Sequence, residues 1–311
     1  MKIKQISPQK SKFLKKLDAI ALKPKMLYYY GQIPGEGEPS DYELPRVVAI
    51  VGSRKMTAYG KEMAYKAAYE LAKYGVIIVS GLALGIDAMA HRGALDAGGI
   101  TVGFLGTPID RMYPRSNSHL AREILEKNGA IISECPPFDI DLGISEDELA
   151  TWHKMIDSRN GAKATFLTRN RLISGVADAV IVVEADERSG SLNTASHALE
   201  QGRLLFAVPG DVTRQMSRGC NSLFGKGAIA YTKVDDVLDE LFIKKKDVKK
   251  AIKGDTEEED LIISALQQGI NVGDAIIQAT GLSVPVFNQT ITLLEIKGVV
   301  KRLYANQWML R

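Results

Sequence analysis

The chain has 311 residues, 45% of them hydrophobic and 25% charged, with a formal net charge of +3. This suits a globular protein of about two domains, and so weak a basic balance permits a nucleic-acid partner without arguing for one, since local clustering decides. The two cysteines, Cys135 and Cys220, make neither a metal spacing nor a disulfide framework, which points to a reducing cytoplasm.

Residues 1–45 read as a lead-in. Charges run through the first stretch, with no apolar core long enough for a signal peptide. A short amphipathic helix is expected over residues 10–22, followed by a segment rich in Gly, Pro and Tyr. No segment approaches the ~18 apolar residues of a membrane helix, so a cytoplasmic protein with no membrane partner is expected. From residue 46 the pattern becomes regular. Apolar strands RVVAIVG, VIIVS and TVGFLG alternate with helical stretches such as TAYGKEMAYKAAYELAKYG, which stops at Gly75 in a C′ position. The series continues through AIIS, AVIVVEA and LLFAVPG. Strands this continuously apolar are buried on both faces. The alternation therefore predicts an α/β domain over 46–242, a doubly wound, Rossmann-like parallel sheet.

Between AIIS and the next strand lies a stretch that breaks the rhythm, residues 139–161. Ser145 and Glu148 form a capping box, Leu149, Trp152 and Ile156 share a helical face, and Asn160-Gly161 reads as a stop, so one inserted helix is expected. After the sheet, residues 243–256 carry a charge block that reads as a solvated linker. Residues 257–311 give three helical stretches, with a glycine turn between the second and third, and a closing hairpin. That order reads as a small winged-helix domain.

In such a sheet, ligands bind beyond the carboxyl ends of the strands, at loops entering helix N-termini. After the first core strand come Gly52, Ser53 and Arg54; later loops carry Gly81, Gly85, Arg111 and Arg115. No GxGxxG follows the first strand, and the spacing of Gly52 to Lys61 fails the P-loop pattern, so no cofactor is expected. The four histidines are scattered singly, Asp87 reads as a first-turn carboxylate, and no nucleophile–base pair emerges. No metal site and no catalytic residue are expected. What the rim offers is the stretch FLTRNRLISGV, where Lys163, Phe166, Arg169 and Arg171 lie close together with few fixed acidic partners nearby. Guanidiniums grip phosphates bidentately, and an aromatic face accepts an unpaired base. That combination suits single-stranded nucleic acid, because a duplex hides its base faces. Phe166 has a second reading, as a core side chain.

The motifs VAIVGSR, VSGLALGIDAMAHRGALDAGGITVGFLGTPIDRMYP, FLTRNRLISGVADAVIVVEA, SGSLNTASHALEQGRLLFAVPG and GCNSLFGKGA resemble, in order and spacing, the DNA processing protein A (DprA, or Smf) family. The likeness covers residues 25–242, and the tail resembles that family's winged-helix domain. It implies a non-enzymatic protein that binds single-stranded DNA, protects incoming strands, forms a homodimer and helps load the recombinase RecA in natural transformation or recombination. Carried over by position, it implicates Gly52, Ser53, Arg54, Lys163, Phe166, Arg169, Asn170 and Arg171 in the DNA pocket, with DNA phosphate as the anion the arginines lack. The lead-in is too short for the extra N-terminal helical domain of some members. Two other readings stand beside this one. Rossmann-like relatives such as the LOG enzymes hydrolyse nucleoside monophosphates with a PGGxGT loop, but the corresponding stretch here is SGSLNTASHALE. A nucleotide sensor or LOG-like hydrolase is therefore the alternative, and a duplex-specific regulator would rest on the winged helix alone.

Overall fold

The structure, a computed structural model, describes residues 2–39, 41–138, 150, 161–244, 254–304 and 306–310. It divides into two compact units, Met1–Lys244 and Lys245–Arg311. In the first, β1 (Lys4–Ile6) and β2 (Leu27–Gly31) precede the series β3 (Val47–Val51), α1 (Ala58–Lys73), β4 (Ile77–Ser80), α2 (Ile86–Asp96), β5 (Thr101–Leu105), α3 (Ser118–Glu126) and β6 (Ala130–Ser133). The chain resumes with α4 (Gly161–Val176), β7 (Ala179–Val182), α5 (Gly190–Glu200), β8 (Leu204–Ala207), α6 (Gln215–Phe224), β9 (Ile229–Ala230) and α7 (Val234–Glu240).

These strands form one nine-stranded sheet in the order β1-β2-β6-β5-β4-β3-β7-β8-β9. Neighbours from β6 to β9 are parallel, and β1 and β2 add antiparallel. Because β side chains alternate between faces, β3 feeds two cores. Val47, Ala49 and Val51 pack with Leu172, Ile173 and Val176 of α4. Val48 and Ile50 pack with Ala64, Ala67 and Leu71 of α1 and with Ile86 and Ala90 of α2. Small residues on the inner face of α1 let that helix lie close to the sheet. The doubly wound α/β reading thus holds.

The lead-in is not a separate segment. Leu27, Tyr28 and Tyr29 are buried, and β2 pairs with β6 through Tyr28↔Ser133 and Tyr30↔Ile131. Phe13, Leu14, Leu17 and Ile20 enter the α4-side core. The amphipathic helix expected over 10–22 is replaced by 3-10 turns at Pro8–Lys10 and Lys15–Ala19. Those four apolar residues do mark a buried face, but the short turns present it to α4. The helix expected over 139–161 lies outside the described residues, except at Ala150, which is helical, and at Gly161, which opens α4 rather than ending a helix. Residues 245–253 of the expected linker also lie outside them.

The second unit holds α8 (Glu257–Gln267), α9 (Gly273–Thr280), α10 (Val284–Ile296) and the hairpin β10 (Val300–Tyr304) with β11 (Gln307–Leu310). Gly281 ends α9 in the left-handed conformation that favours glycine (φ 71°). Phe287 and Trp308 meet edge-on, 5.6 Å between ring centroids, inside this unit's own core. It is a winged helix.

Candidate nucleic-acid interface

From β3 the chain steps outward through β4, β5 and β6, then returns to the other side of β3 to lay down β7, β8 and β9. Loops leaving β3 and β7 therefore part to opposite faces, which opens a crevice at their carboxyl ends. A cleft of about 530 Å³ sits there, lined by residues 51–55, Ala83 and Asp87, Phe166, Arg169 and Asn170, and Ser189 to Ser191 with Thr194. One wall is pinned from below. Ser53 donates its amide to Glu184 O (2.7 Å), and Thr57 donates its amide (2.8 Å) and its hydroxyl (2.5 Å) to the buried Glu184 carboxylate. A Cβ on Gly52 would stand 2.7 Å from Ile86 Cγ1, so only glycine lets this loop cross the start of α2. The loop thus held carries Arg54 out to solvent, its guanidinium carbon 5.2 Å from the Phe166 ring centroid. Among the described residues Arg54 has no acidic partner.

The opposite wall is α4. On a helix, residues three and four apart share a face, so Phe166, Arg169, Asn170 and Ile173 all turn to the cleft. Phe166 is seated against Gly106, where a Cβ would lie 2.5 Å from its Cδ1. Arg169 is buried, only 6% exposed. It donates to Gly81 O (2.8 Å), to Phe104 O and, through Nε, to Asn170 Oδ1 (3.2 Å). Asn170 in turn donates to Gly190 O and Asn193 Oδ1, both at 3.2 Å, tying α4 to the first turn of α5. Beneath Arg169 lies Asp87, whose Oδ2 accepts the Gly81 amide at 3.0 Å. Burial pushes the Asp87 carboxyl up against the pull of Arg169, and pushes Arg169 down to about 10 against the pull of Asp87. Both groups are buried under the cleft floor, where each charge acts on the other, while Arg54 on the rim stays open to solvent.

The family model for DNA recombination-mediator protein A matches residues 4–242, and the DprA winged helix domain model matches residues 248–306. The chain belongs to this family. A putative DNA processing protein DprA of Mycobacterium tuberculosis is 42% identical over 199 residues, which cover 64% of this chain and 46% of that protein. This chain therefore spans about half the length of that relative. Among solved structures, DprA from Streptococcus pneumoniae aligns with a TM-score of 0.61 at 32% identity, over 79% of this chain and 76% of that one. A Helicobacter pylori structure, concerned with that protein's single-stranded DNA binding mode, aligns with a TM-score of 0.60 at 30% identity, over 78% and 96%.

Of the eight residues that the DprA resemblance implicates, the cleft gathers Gly52, Ser53, Arg54, Phe166, Arg169 and Asn170. Arg171 stands apart. Two positions along a helix turn a side chain to the far side, and there Arg171 Nη2 meets Glu134 at 2.8 Å, Nε donates to Leu22 O at 2.9 Å and Nη1 to Thr168 O at 3.0 Å. It is 5% exposed and fastens α4 to the lead-in. The expectation that both arginines lack a partner is corrected on this point. The anion of Arg171 is Glu134, while Arg169 is bonded to the Gly81 and Phe104 carbonyls with Asp87 buried nearby, none of them visible as a neighbour in the sequence. Lys163 occupies the first turn of α4, and its side chain lies outside the described residues.

Sequence reasoning passed over three features of this DprA-family cleft. Tyr113, in the loop after β5, places its ring 5.7 Å from Phe166; the signal was an aromatic in the stretch GTPIDRMYPRSN, read only for its arginines. Asp87 read as a helix-start carboxylate and proves to be buried near Arg169, whose charge opposes the effect of burial on it. Ser189, Gly190, Ser191 and Thr194, weighed only against a hydrolase loop, line the cleft at the start of α5. Both cysteines are buried, and burial pushes their thiols up to about 12, so neither is a nucleophile at neutral pH. Among the described residues, no group of three His, Cys, Asp or Glu could hold a metal ion, and no helix is long and apolar enough to cross a membrane.

Proposed function

We propose that the switch-point cleft binds single-stranded DNA without altering it chemically. On this reading the chain is a cytoplasmic DNA-processing protein that acts as a homodimer, shelters incoming strands and passes them to RecA. The observation that carries it is the pairing of an unneutralised rim cation, Arg54, with the Phe166 ring 5.2 Å away in a 530 Å³ cleft. A guanidinium takes a phosphate, and a ring takes the face of an unpaired base. The Helicobacter pylori relative, studied for its single-stranded DNA binding mode, supports the same substrate.

The test is a titration of the full chain with a single-stranded oligonucleotide, a duplex of equal length and a panel of nucleoside monophosphates. Affinity that rises with oligonucleotide length and exceeds that for duplex is expected. Tight binding of a monophosphate with release of free base would replace this reading with the hydrolase one. Equal affinity for duplex would remove the role of the ring. Transfer to RecA is read separately, as faster filament assembly on strands already covered by this protein.

A further inference from the structure

The Phe166 ring is already crowded by its own chain. Arg54 stands 5.2 Å and Arg169 6.0 Å from its centroid, and Tyr113 lies against it at 5.7 Å with a 42° tilt. Tyr113 is the opposite case. It is 53% exposed, and its hydroxyl has no hydrogen-bond partner among the described residues. An exposed ring with no bond of its own must be held by its surroundings, and here it is. Asn117, buried at the start of α3, donates Nδ2 to Leu82 O (2.9 Å) and Ala83 O (3.1 Å). This ties the loop of Tyr113 to the loop of Leu84, itself 45% exposed. Between them runs a slot of about 30 Å³ bounded by Arg54, Leu84, Tyr113, Pro114 and Phe166. It shares Arg54 and Phe166 with the main cleft, so the two are continuous.

We propose that Tyr113 is a second base-stacking position, so that the cleft holds two consecutive bases of one strand, one at Phe166 and the next on Tyr113 and Leu84. The inference rests on the single-strand reading above. The occupant follows from geometry and chemistry together. The slot itself has room for no more than about one water, so the base lies at its mouth on the exposed faces of Tyr113 and Leu84, with the Arg54 guanidinium beside it for the phosphate. The rings are 5.7 Å apart and tilted by 42°, whereas bases stacked within a strand lie about 3.4 Å apart. Two bases seated on these rings are therefore parted from each other, and the strand is extended at this step. No duplex can supply that.

The experiment uses the full chain with oligothymidylates carrying a single photoreactive 5-iodouracil, together with thymidine monophosphate as the one-base probe. Irradiation should crosslink the iodouracil to the peptide that contains Tyr113. Tyr113→Ala should melt like wild type and should weaken oligonucleotide binding by about five- to tenfold. It should leave thymidine monophosphate binding and the salt dependence unchanged, since neither the inner position nor any charge is lost. Tyr113→Trp should restore affinity, whereas Tyr113→Leu, which fills the space without a flat face, should not. If the protein binds oligonucleotides but Tyr113→Ala binds them like wild type, or if crosslinks form only elsewhere, the second position falls and the single-strand reading stands. A wild-type protein that ignores single strands overturns both.

Discussion

The cleft and the outer face of α10 are the two places where a nucleic acid would be sought, and they are built in opposite ways. In a duplex-reading winged helix, the helix before the wing enters the groove and needs cations for phosphates and polar tips for base edges. Here α10 shows solvent Val286, Leu293 and Ile296, the last 77% exposed. The first cation comes just after its last turn, Lys297, which is held by Asp255 at 2.7 Å and Glu259 at 2.6 Å. At the cleft, Arg54 has no such partner among the described residues, and an aromatic ring lies beneath it. The same contrast divides Arg54 from the two arginines of α4, since Arg169 and Arg171 spend their donors inside the fold and Arg54 does not. A cation marks a phosphate site when the fold leaves it unneutralised. Counting cations in a segment does not reveal that.

The largest expected effect comes from turning a satisfied site into an unsatisfied one. Arg169→Leu strips the buried Gly81 and Phe104 carbonyls of their donor and removes the cation that offsets the burial of Asp87, and each buried group left unsatisfied costs about 1–3 kcal/mol. Urea unfolding followed by circular dichroism should show that loss, and adding Asp87→Asn should recover part of it because the two sites share one interaction. A loss under about 1 kcal/mol would mean that water already reaches these groups, and the distinction between floor and rim would collapse.

Next come the rim substitutions, which should fail in different ways. Arg54→Ala should melt like wild type and bind single strands at least about tenfold more weakly, ~1.4 kcal/mol. It should also lower the slope of log K against log salt by about 0.7, the share of one phosphate on a single strand. Phe166→Ala should cost ~1–3 kcal/mol of binding through lost stacking with the salt slope kept. It should lose stability as well, since the ring fills the space over Gly106. Unchanged binding by Arg54→Ala would remove the cleft as the phosphate site.

Much of this was legible in the sequence. Strands apolar on both faces announced the parallel sheet, and the glycine-bearing turn after β3 placed Arg54 at its carboxyl edge. What stayed hidden has one cause, that contacts made across the sheet leave no local trace. Arg171 looked equivalent to Arg169 because they stand two residues apart, yet helical geometry sends them to opposite sides, toward Glu134 and Asp87. Tyr113 belongs to a loop after a different strand from α4, so nothing near Phe166 pointed to it. The lead-in concealed its strand because LYYYG carries no alternation, and β2 is fixed by pairing with β6.

A smaller effect should separate the two units by acid. His91 is buried, and burial, with Arg169 adding to it, pushes its imidazole down to about 3. Thr101 donates its hydroxyl to Ile78 O at 2.8 Å, so the 2.7 Å contact requires His91 Nδ1 to be the donor, and Nε2 is left without a partner. Between about pH 6.5 and pH 3 the unfolded chain takes up a proton at this residue and the folded chain does not. The stability it supports is whole above that window and falls with pH, by no more than about 1.4 kcal/mol for each unit. The second unit contains no histidine, so its unfolding should not shift between pH 7.5 and 5.5 on this account. His91→Gln should flatten the dependence in the first unit, and an unchanged slope would mean that another group carries it.

The smallest effect is expected at the winged helix, and it bears most directly on the contrast between the two regions. The exposed cation Lys301 lies in β10, on the wing rather than on α10, and Arg302 beside it stands over the Trp308 ring at 5.5 Å. Lys301→Glu with Arg302→Glu in the full chain reverses both charges, and because Arg302 covers the core ring of Trp308 the variant is first checked for an unchanged melting curve. If single strands are held by the cleft, affinity should drop only through the longer-range field, by less than about threefold in 0.15 M salt, where the screening length is about 8 Å. A chain ending at Lys244, checked for folding by its melting curve, should likewise stay within about tenfold of the full protein. A larger loss in either variant, with the cleft unit still folded, would place phosphate contacts on the wing. The apolar face of α10 would then lie beside a DNA path, and a neutralised Lys297 would no longer be a reason to set the winged helix aside.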